Sequence, residues 1–599
     1  MRAKSLLCYG KQFIIHTEGT VCSSPVELLA SNILEELLWD YLGALREHDN
    51  VTFYSLFGRV SQEKAFSRIL KLLRMLIAHP LHQLVGVLPS ARHFEDKHAE
   101  LEEFIQEFYN HWRIRERFLL CLGEQGPWSY DTRPYRTFNA TVEQLTHVMR
   151  ATYRDILENI TRDHPRVYRQ VQAGCQAGVI AVPKNWPAPE GVYKSLAQIP
   201  FVRQVWIDPP MVIDPPTNRR DGRFSRTDRN PLEGMPLDPA EWLCYPALVG
   251  SVLVFVYFHL RFIGLGISLS NLFELARDED IARGPDAVYF FGADRFHMAT
   301  YGELPTVFHE DKKAGLLVAA VPDEDRFGYF GYLKKMVLTL HNIVIMERGR
   351  MPFHGAMCRI LLRGGQYANV LLIGDTATGK SETLEALRRT GGRKVQSLKI
   401  VADDMGSLEI DEREGGLRGY GTEIGAFIRL DDLQAGYAFG QIDRAIIMSP
   451  HRINARVVLP VTSLREVNHG YPLDYLLYAN NYEQIGQARP VLEAFSDKAQ
   501  ALETFRKGAA MAKGTTTSTG LVENYFANIF GPPQYKELHE RLAGKTFGAA
   551  FKAGVWVGQM RTRLGIPGWE TKGPEAAAQE LLNLISRRKR KVPEKSPGP

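Results

Sequence analysis

The eight residues 374-GDTATGKS-381 set two glycines, a lysine and a hydroxyl at the spacing G-x-x-x-x-G-K-[ST]. In that pattern the backbone N–H groups wrap a phosphate chain, the lysine reaches the outer phosphates and the hydroxyl reaches a magnesium ion. The apolar run Val370 to Ile373 reads as a strand and Ser381 to Arg389 as a helix, which places the phosphates at a helix N-terminus. Gly374, Asp375, Thr376, Ala377, Thr378, Gly379, Lys380, Ser381 and Glu382 are therefore the candidate nucleotide-binding residues.

Two flanking segments add chemistry. Downstream, 399-KIVADDMGSLEID-411 puts Asp403 and Asp404 at the end of a strand-like run, where carboxylates beside a phosphate loop hold magnesium or manganese. Upstream, 328-GYFGYLKKMVLTLHNIVIMERGRMPFHGAMCRILL-362 carries Lys334 and Lys335, then His354. Each has a structural alternative. The lysines can be a solvated pair on a helix, His354 a core histidine, the aspartates a turn cap, and Arg456 in 453-INARVVLPV-461 a partner for a surface carboxylate.

The arrangement resembles the phosphoenolpyruvate carboxykinase and HPr kinase superfamily. The carboxykinase order of Tyr-x-Gly-x-x-Lys-Lys, a Met-His strand, a Gly-Lys-Thr phosphate loop and an Asp-Asp strand is matched by Tyr329 to Lys335, Phe353-His354, Gly379-Lys380-Ser381 and Asp403-Asp404. The segments HGAM, GDTATGKSETLEALRR and IVADD are similar to HPr kinase elements. The resemblance implies that Lys335, His354 and Asp404 coordinate manganese, that Lys380 and Ser381 address the phosphates of ATP or GTP and its magnesium, and that Arg456 balances charge on the transferring phosphoryl group. It also implies that 512-AKGTTTSTGLVENYFANIFGPP-533 forms part of the adenine-side wall. Two departures bear on the acceptor. The Gly-Arg-Ser-Pro-Lys-Asp-Lys element is missing, and Tyr332 stands where the family has a glutamate. In 415-GGLRGYGTEIG-425, Gly416 occupies the glutamate position of the HPr kinase element.

These residues need elements to hold them. Residues 1–165 carry helical periodicity, as in 33-ILEELLWDYLGALREHDN-50 and 98-HAELEEFIQEFYNHWRIRERFLLCL-122, and read as a mainly helical region. Residues 166–345 read as a mixed α+β substrate-side lobe with a Pro-rich loop, 346–572 as the phosphate-loop core, and 573–599 as a helix end with a basic, disordered tail. The basic residues of 217-TNRRDGRFSR-226 can face an anionic substrate or solvent. The expected architecture is α/β: a carboxykinase-like, two-lobed phosphate-loop core with an added helical N-terminal region.

Composition sets the remaining bounds. A net charge of +5 over 599 residues implies no nucleic-acid surface, and six scattered cysteines imply neither a disulfide framework nor a zinc site, which fits a cytoplasmic protein. The apolar stretch 245–275 is interrupted by His259 and Arg261 and reads as buried strands rather than a membrane span. The expected activity is nucleotide-dependent phosphoryl transfer of the carboxykinase type, from oxaloacetate to phosphoenolpyruvate, catalysed by Lys335, Asp403, Asp404, Arg456 and Lys380. The alternatives are a kinase acting on a small-molecule or protein hydroxyl, with Asp403 or Asp404 as base, and a nucleotide sensor without turnover.

Overall fold

The computed structural model describes residues 5–17, 21–48, 50–123, 135–164, 166–167, 171–221, 224–303, 305–375, 377–392, 394–413, 415–433, 439–513 and 519–587. The chain divides into two compact units: residues 1–184 with 198–212, and residues 185–197 with 213–599.

In the first unit the helices Asn32–Glu47, Gln62–Leu76, His98–Arg113 and Tyr135–Thr161 bury Leu38, Leu73, Phe104 and Val142 in one core. The helix begun at His98 stops at Arg113, and the chain resumes as the strand Glu116–Leu122. That strand is buried on both faces, so its continuous apolar run carries no period to separate it from the helix before it. It pairs in parallel with Gln12–Thr17 and with Ala177–Val182, and Phe201–Ile207 adds antiparallel to Ala177–Val182. The helical region thus contains three strands before residue 165, and pairing carries the unit on to 184 rather than ending it at 165.

The second unit holds two larger sheets. In one, Trp242–Val249 and Val252–His259 form an antiparallel hairpin, to which Ala287–Ala293 and Leu316–Pro322 add in parallel. The apolar stretch 245–275 supplies that hairpin and then the short helix Ile263–Ser268. Among the described residues no helix is long and apolar enough to cross a membrane. The helix Phe330–Glu347 is buried around almost its whole circumference, as expected of a helix apolar on all sides.

The other sheet builds the site. Its central strand, Met351–Leu362, is twelve residues long and changes partner along one edge. Met351 to His354 pair with Met405–Asp411, whereas Met357 to Leu362 pair with Val395–Ala402, all antiparallel. The turn between those two partners is Asp403-Asp404, so the register sets it beside His354, and the Gly355 N–H donates to the Asp404 carbonyl at 2.9 Å. Along the opposite edge runs Tyr367–Ile373, with Gly355 facing Ile373, followed in parallel by Tyr475–Asn480 and Trp556–Arg561. A Cβ at position 355 would lie 2.7 Å from the Leu372 carbonyl oxygen, so glycine is what allows these strands to approach there. The phosphate-loop helix Lys380–Thr390 packs on the C-terminal helix Lys572–Ser586, with Leu384, Leu387, Leu581 and Leu582 in a shared core. The C-terminal helix therefore belongs to this core rather than to a separate terminal piece, and the basic tail 588–599 lies outside the described residues. A small sheet of Gly425–Arg429, Arg456–Pro460 and Ile446–Met448 sets Arg429 opposite Arg456.

Candidate functional site

The sequence Gly374 to Ser381 folds as strand, loop and helix, and Gly379 caps the helix at φ +95°, a left-handed backbone. A Cβ on Gly379 would meet the Thr562 side chain at 2.8 Å. The loop is held from outside. Asn481 Nδ2 donates to the Ala377 carbonyl at 2.9 Å, and Thr562 Oγ1 donates to the Thr378 carbonyl at 2.7 Å. Thr378 Oγ1 donates to the Asp375 carbonyl at 2.7 Å, and Asn524 Nδ2 donates to Asp375 Oδ2 at 2.9 Å. Ala377 is left-handed at φ +63°, a conformation that costs a non-glycine residue about 1 kcal/mol. Thr376 lies outside the described residues.

The first-turn N–H groups of the loop helix have no partner within a helix by construction, and they give this end its positive polarity. Lys380 Nζ folds back onto its own loop, donating to the Gly374 carbonyl and, at 3.3 Å, to that of Asp375. Burial lowers its pKa, and the carboxylates of Asp404, Asp375 and Asp403 oppose that effect. The Gly374 N–H in turn donates to the His354 carbonyl at 3.2 Å, tying the phosphate loop to the strand beside it.

His354 is 2 % exposed. Its Nδ1 donates to the Ala527 carbonyl, which can only accept, and its Nε2 faces the cavity. Nε2 lies 3.0 Å from Asp404 Oδ1 and 3.4 Å from Lys380 Nζ. Asp404 Oδ2 accepts from Lys334 Nζ at 3.0 Å. Burial works to raise the Asp404 carboxyl, but Lys334, His354 and Lys380 together outweigh it and hold the carboxyl well below the usual carboxylate range.

Adjacent helical residues point about 100° apart, and the two lysines diverge accordingly. Lys334 is buried between Asp404 and Glu423, whose Oε1 lies 2.8 Å from Nζ, and burial, acting to lower its pKa, loses to those two carboxylates, which raise it. Lys335 instead stands over the Phe530 ring at 5.0 Å, and among the described residues its ammonium makes no hydrogen bond or ion pair. Burial, and after it the charge of Arg220, lowers Lys335 to about 8. The pair is therefore not a solvated one. The lysine that bonds Asp404 is Lys334, and Lys335 shares its cavity.

A cavity of about 220 Å³ is lined by Lys335, His354, Lys380, Ser381, Asp404 and Arg456, with Asp375, Ala377, Glu382 and Asp403 also on its wall. Arg456 opens its strand with the guanidinium 5.4 Å from the Phe427 ring centre, and among the described residues its buried Nε makes no hydrogen bond. The segment 512–533 backs the cavity through Asn524, Ala527 and Phe530, while its residues 514–518 lie outside the described residues.

The donor set fits a divalent cation in part. Nε2 of His354 and Oδ1 of Asp404 are adjacent, and both suit manganese or magnesium. Among the described residues no group of three or more His, Cys, Asp or Glu side chains could hold a metal ion, so Lys335, Ser381 or ligand oxygens would have to complete the shell. Sequence reasoning missed Glu423, which is 1 % exposed, and Arg429, which lines the cavity. A glutamate inside the glycine-rich and apolar run GYGTEIGAF was the available signal for the first. No family model matches the chain, and no curated protein matches it either.

Proposed function

We propose that this chain is a nucleotide-dependent phosphotransferase of the carboxykinase type, using ATP or GTP with magnesium and manganese. One observation carries the reading: the phosphate loop and the His354–Asp404 pair open into one cavity whose other walls include the cations Lys335, Arg429 and Arg456. A phosphoryl group leaving the loop meets those cations, and electrostatic stabilisation is most of what phosphoryl transfer asks of a protein.

Lys380 leaves the Gly374 carbonyl for the outer phosphates, and Ser381 stands at the helix start, where a phosphate-bound magnesium is held. His354 and Asp404, with Lys335 beside them, would hold the second cation, which when bound stabilises negative charge on an enolate oxygen. With oxaloacetate as substrate, carbon dioxide departs, the enolate oxygen attacks the γ-phosphorus, and the nucleoside diphosphate leaves with the bridging oxygen. Asp404, held ionised by Lys334, is a weak base, which disfavours proton abstraction from a hydroxyl by that residue.

The test is formation of phosphoenolpyruvate from oxaloacetate by purified protein with manganese, magnesium and either ATP or GTP. Nucleotide turnover without that product, and with transfer to a hydroxyl acceptor, replaces the carboxykinase reading with the kinase one. Tight nucleotide binding without any transfer leaves a sensor.

A further inference from the structure

We propose that Lys334 and Glu423 are a positioning pair for the site: Glu423 fixes Lys334, and Lys334 holds Asp404 Oδ2 so that only Oδ1 is presented beside His354. The inference rests on the reading of His354 and Asp404 as the cation-binding pair.

The geometry is a relay of three elements. Lys334 comes from the first turns of the buried helix Phe330–Glu347, Asp404 from the turn after Val395–Ala402, and Glu423 from the connection between Gly416–Gly421 and Gly425–Arg429. Lys334 Nζ stands 3.0 Å from Asp404 Oδ2, 2.8 Å from Glu423 Oε1 and 5.8 Å from the Phe427 ring centre. Thr422 holds the glutamate from behind: its Oγ1 lies 3.2 Å from Glu423 Oε2 and 3.1 Å from the Met405 carbonyl, on the strand that follows Asp404.

One ammonium thus serves two carboxylates, of which only Asp404 reaches the cavity wall. Glu423 does not line it. A buried carboxylate this close to a site, yet withheld from the cavity, acts through its partner, as outer ligands of metal sites commonly do. The cluster also sets local charge. Removing Glu423 leaves the Lys334 ammonium to Asp404 alone, whereas removing Lys334 takes a positive charge from the site and frees both Asp404 oxygens. The two substitutions therefore push cation affinity in opposite directions, which a merely structural pair would not do.

The experiment is manganese binding by electron paramagnetic resonance to full-length wild type, Glu423→Gln, Lys334→Met and the double variant, without substrate, alongside steady-state kinetics. The expected result is weaker manganese binding in Glu423→Gln and tighter binding in Lys334→Met, by severalfold each. Turnover should fall roughly 10- to 100-fold in both, with kcat affected more than the nucleotide KM. The double variant, which removes a buried pair together, guards against misfolding; it should fold, bind manganese near wild-type strength and remain slow. Shifts of the same sign in both single variants, or wild-type turnover in the double variant, overturn the proposal. Failure of wild type to bind manganese overturns the cation-site reading instead.

Discussion

Replacing Lys335 by methionine should make the metal-free protein more stable. The ammonium is buried over Phe530 without a carboxylate partner among the described residues, and burial, then the charge of Arg220, takes it from a lysine's usual 10.5 to about 8. In the unfolded chain the proton stays on until about pH 10.4, so between the two values the unfolded state binds more protons and stability rises with pH. Below about pH 8 the whole penalty is present. At about 1.4 kcal/mol per pH unit, the fall from 10.5 to about 8 amounts to about 3 kcal/mol. Methionine keeps the apolar stem and drops the charge, forfeiting about 1 kcal/mol of attraction to the ring. The net gain near pH 7 is therefore about 2 kcal/mol, closing as the pH approaches 10. Urea midpoints of both proteins in chelator at about pH 7, 8.5 and 10 measure this. An equally or less stable variant at pH 7, or a gap that does not narrow with rising pH, refutes the argument. The same variant should lose turnover, since the site keeps a destabilising group only where function uses it.

Burial holds His341 and His539 neutral, each lowered to about 4, so their stabilisation is complete above about pH 6.5 and lost as the pH falls toward 4. His341→Gln should flatten the acid limb of the urea midpoint by up to about 3 kcal/mol. Gly355→Ala forces a Cβ to 2.7 Å from the Leu372 carbonyl and 3.0 Å from Ile373 Cα, where neither neighbour is a movable side-chain end. It should cost about 1–3 kcal/mol in thermal unfolding and weaken nucleotide binding. Lys380→Ala removes a charged donor worth about 1.5–3 kcal/mol and should weaken binding of a fluorescent ATP analogue at least about tenfold.

The strand–loop–helix around Gly374 to Ser381 was legible because its signal is local: eight consecutive residues fix the turn, the helix start and the lysine together. Asp404 and His354 were legible as candidates from their strand-end and apolar-strand positions, but their 3.0 Å approach depends on a partner change halfway along Met351–Leu362 that no local pattern encodes. The lysines show the limit most plainly. Both are equally visible in sequence, yet the contact to Asp404 is set by which side of a wholly buried helix each occupies, and a helix without a polar face has no amphipathic stripe to read. Glu423 stood out in sequence only as a glutamate in an apolar run, because its partner Lys334 lies far along the chain. The strand Glu116–Leu122 hid behind a helix for the related reason that full burial erases periodicity.

The partner change on Met351–Leu362 also determines where this protein can be lengthened. Every side chain on a strand trades faces when one residue is added or lost, so an insertion anywhere from 354 to 361 would turn the imidazole or the cradle strand away from its counterpart. Extra residues at the hairpin tip, 363–366, leave both ladders as they are. Families of engineered variants should accordingly tolerate tags and grafts at that tip while rejecting even a single added residue a few positions earlier.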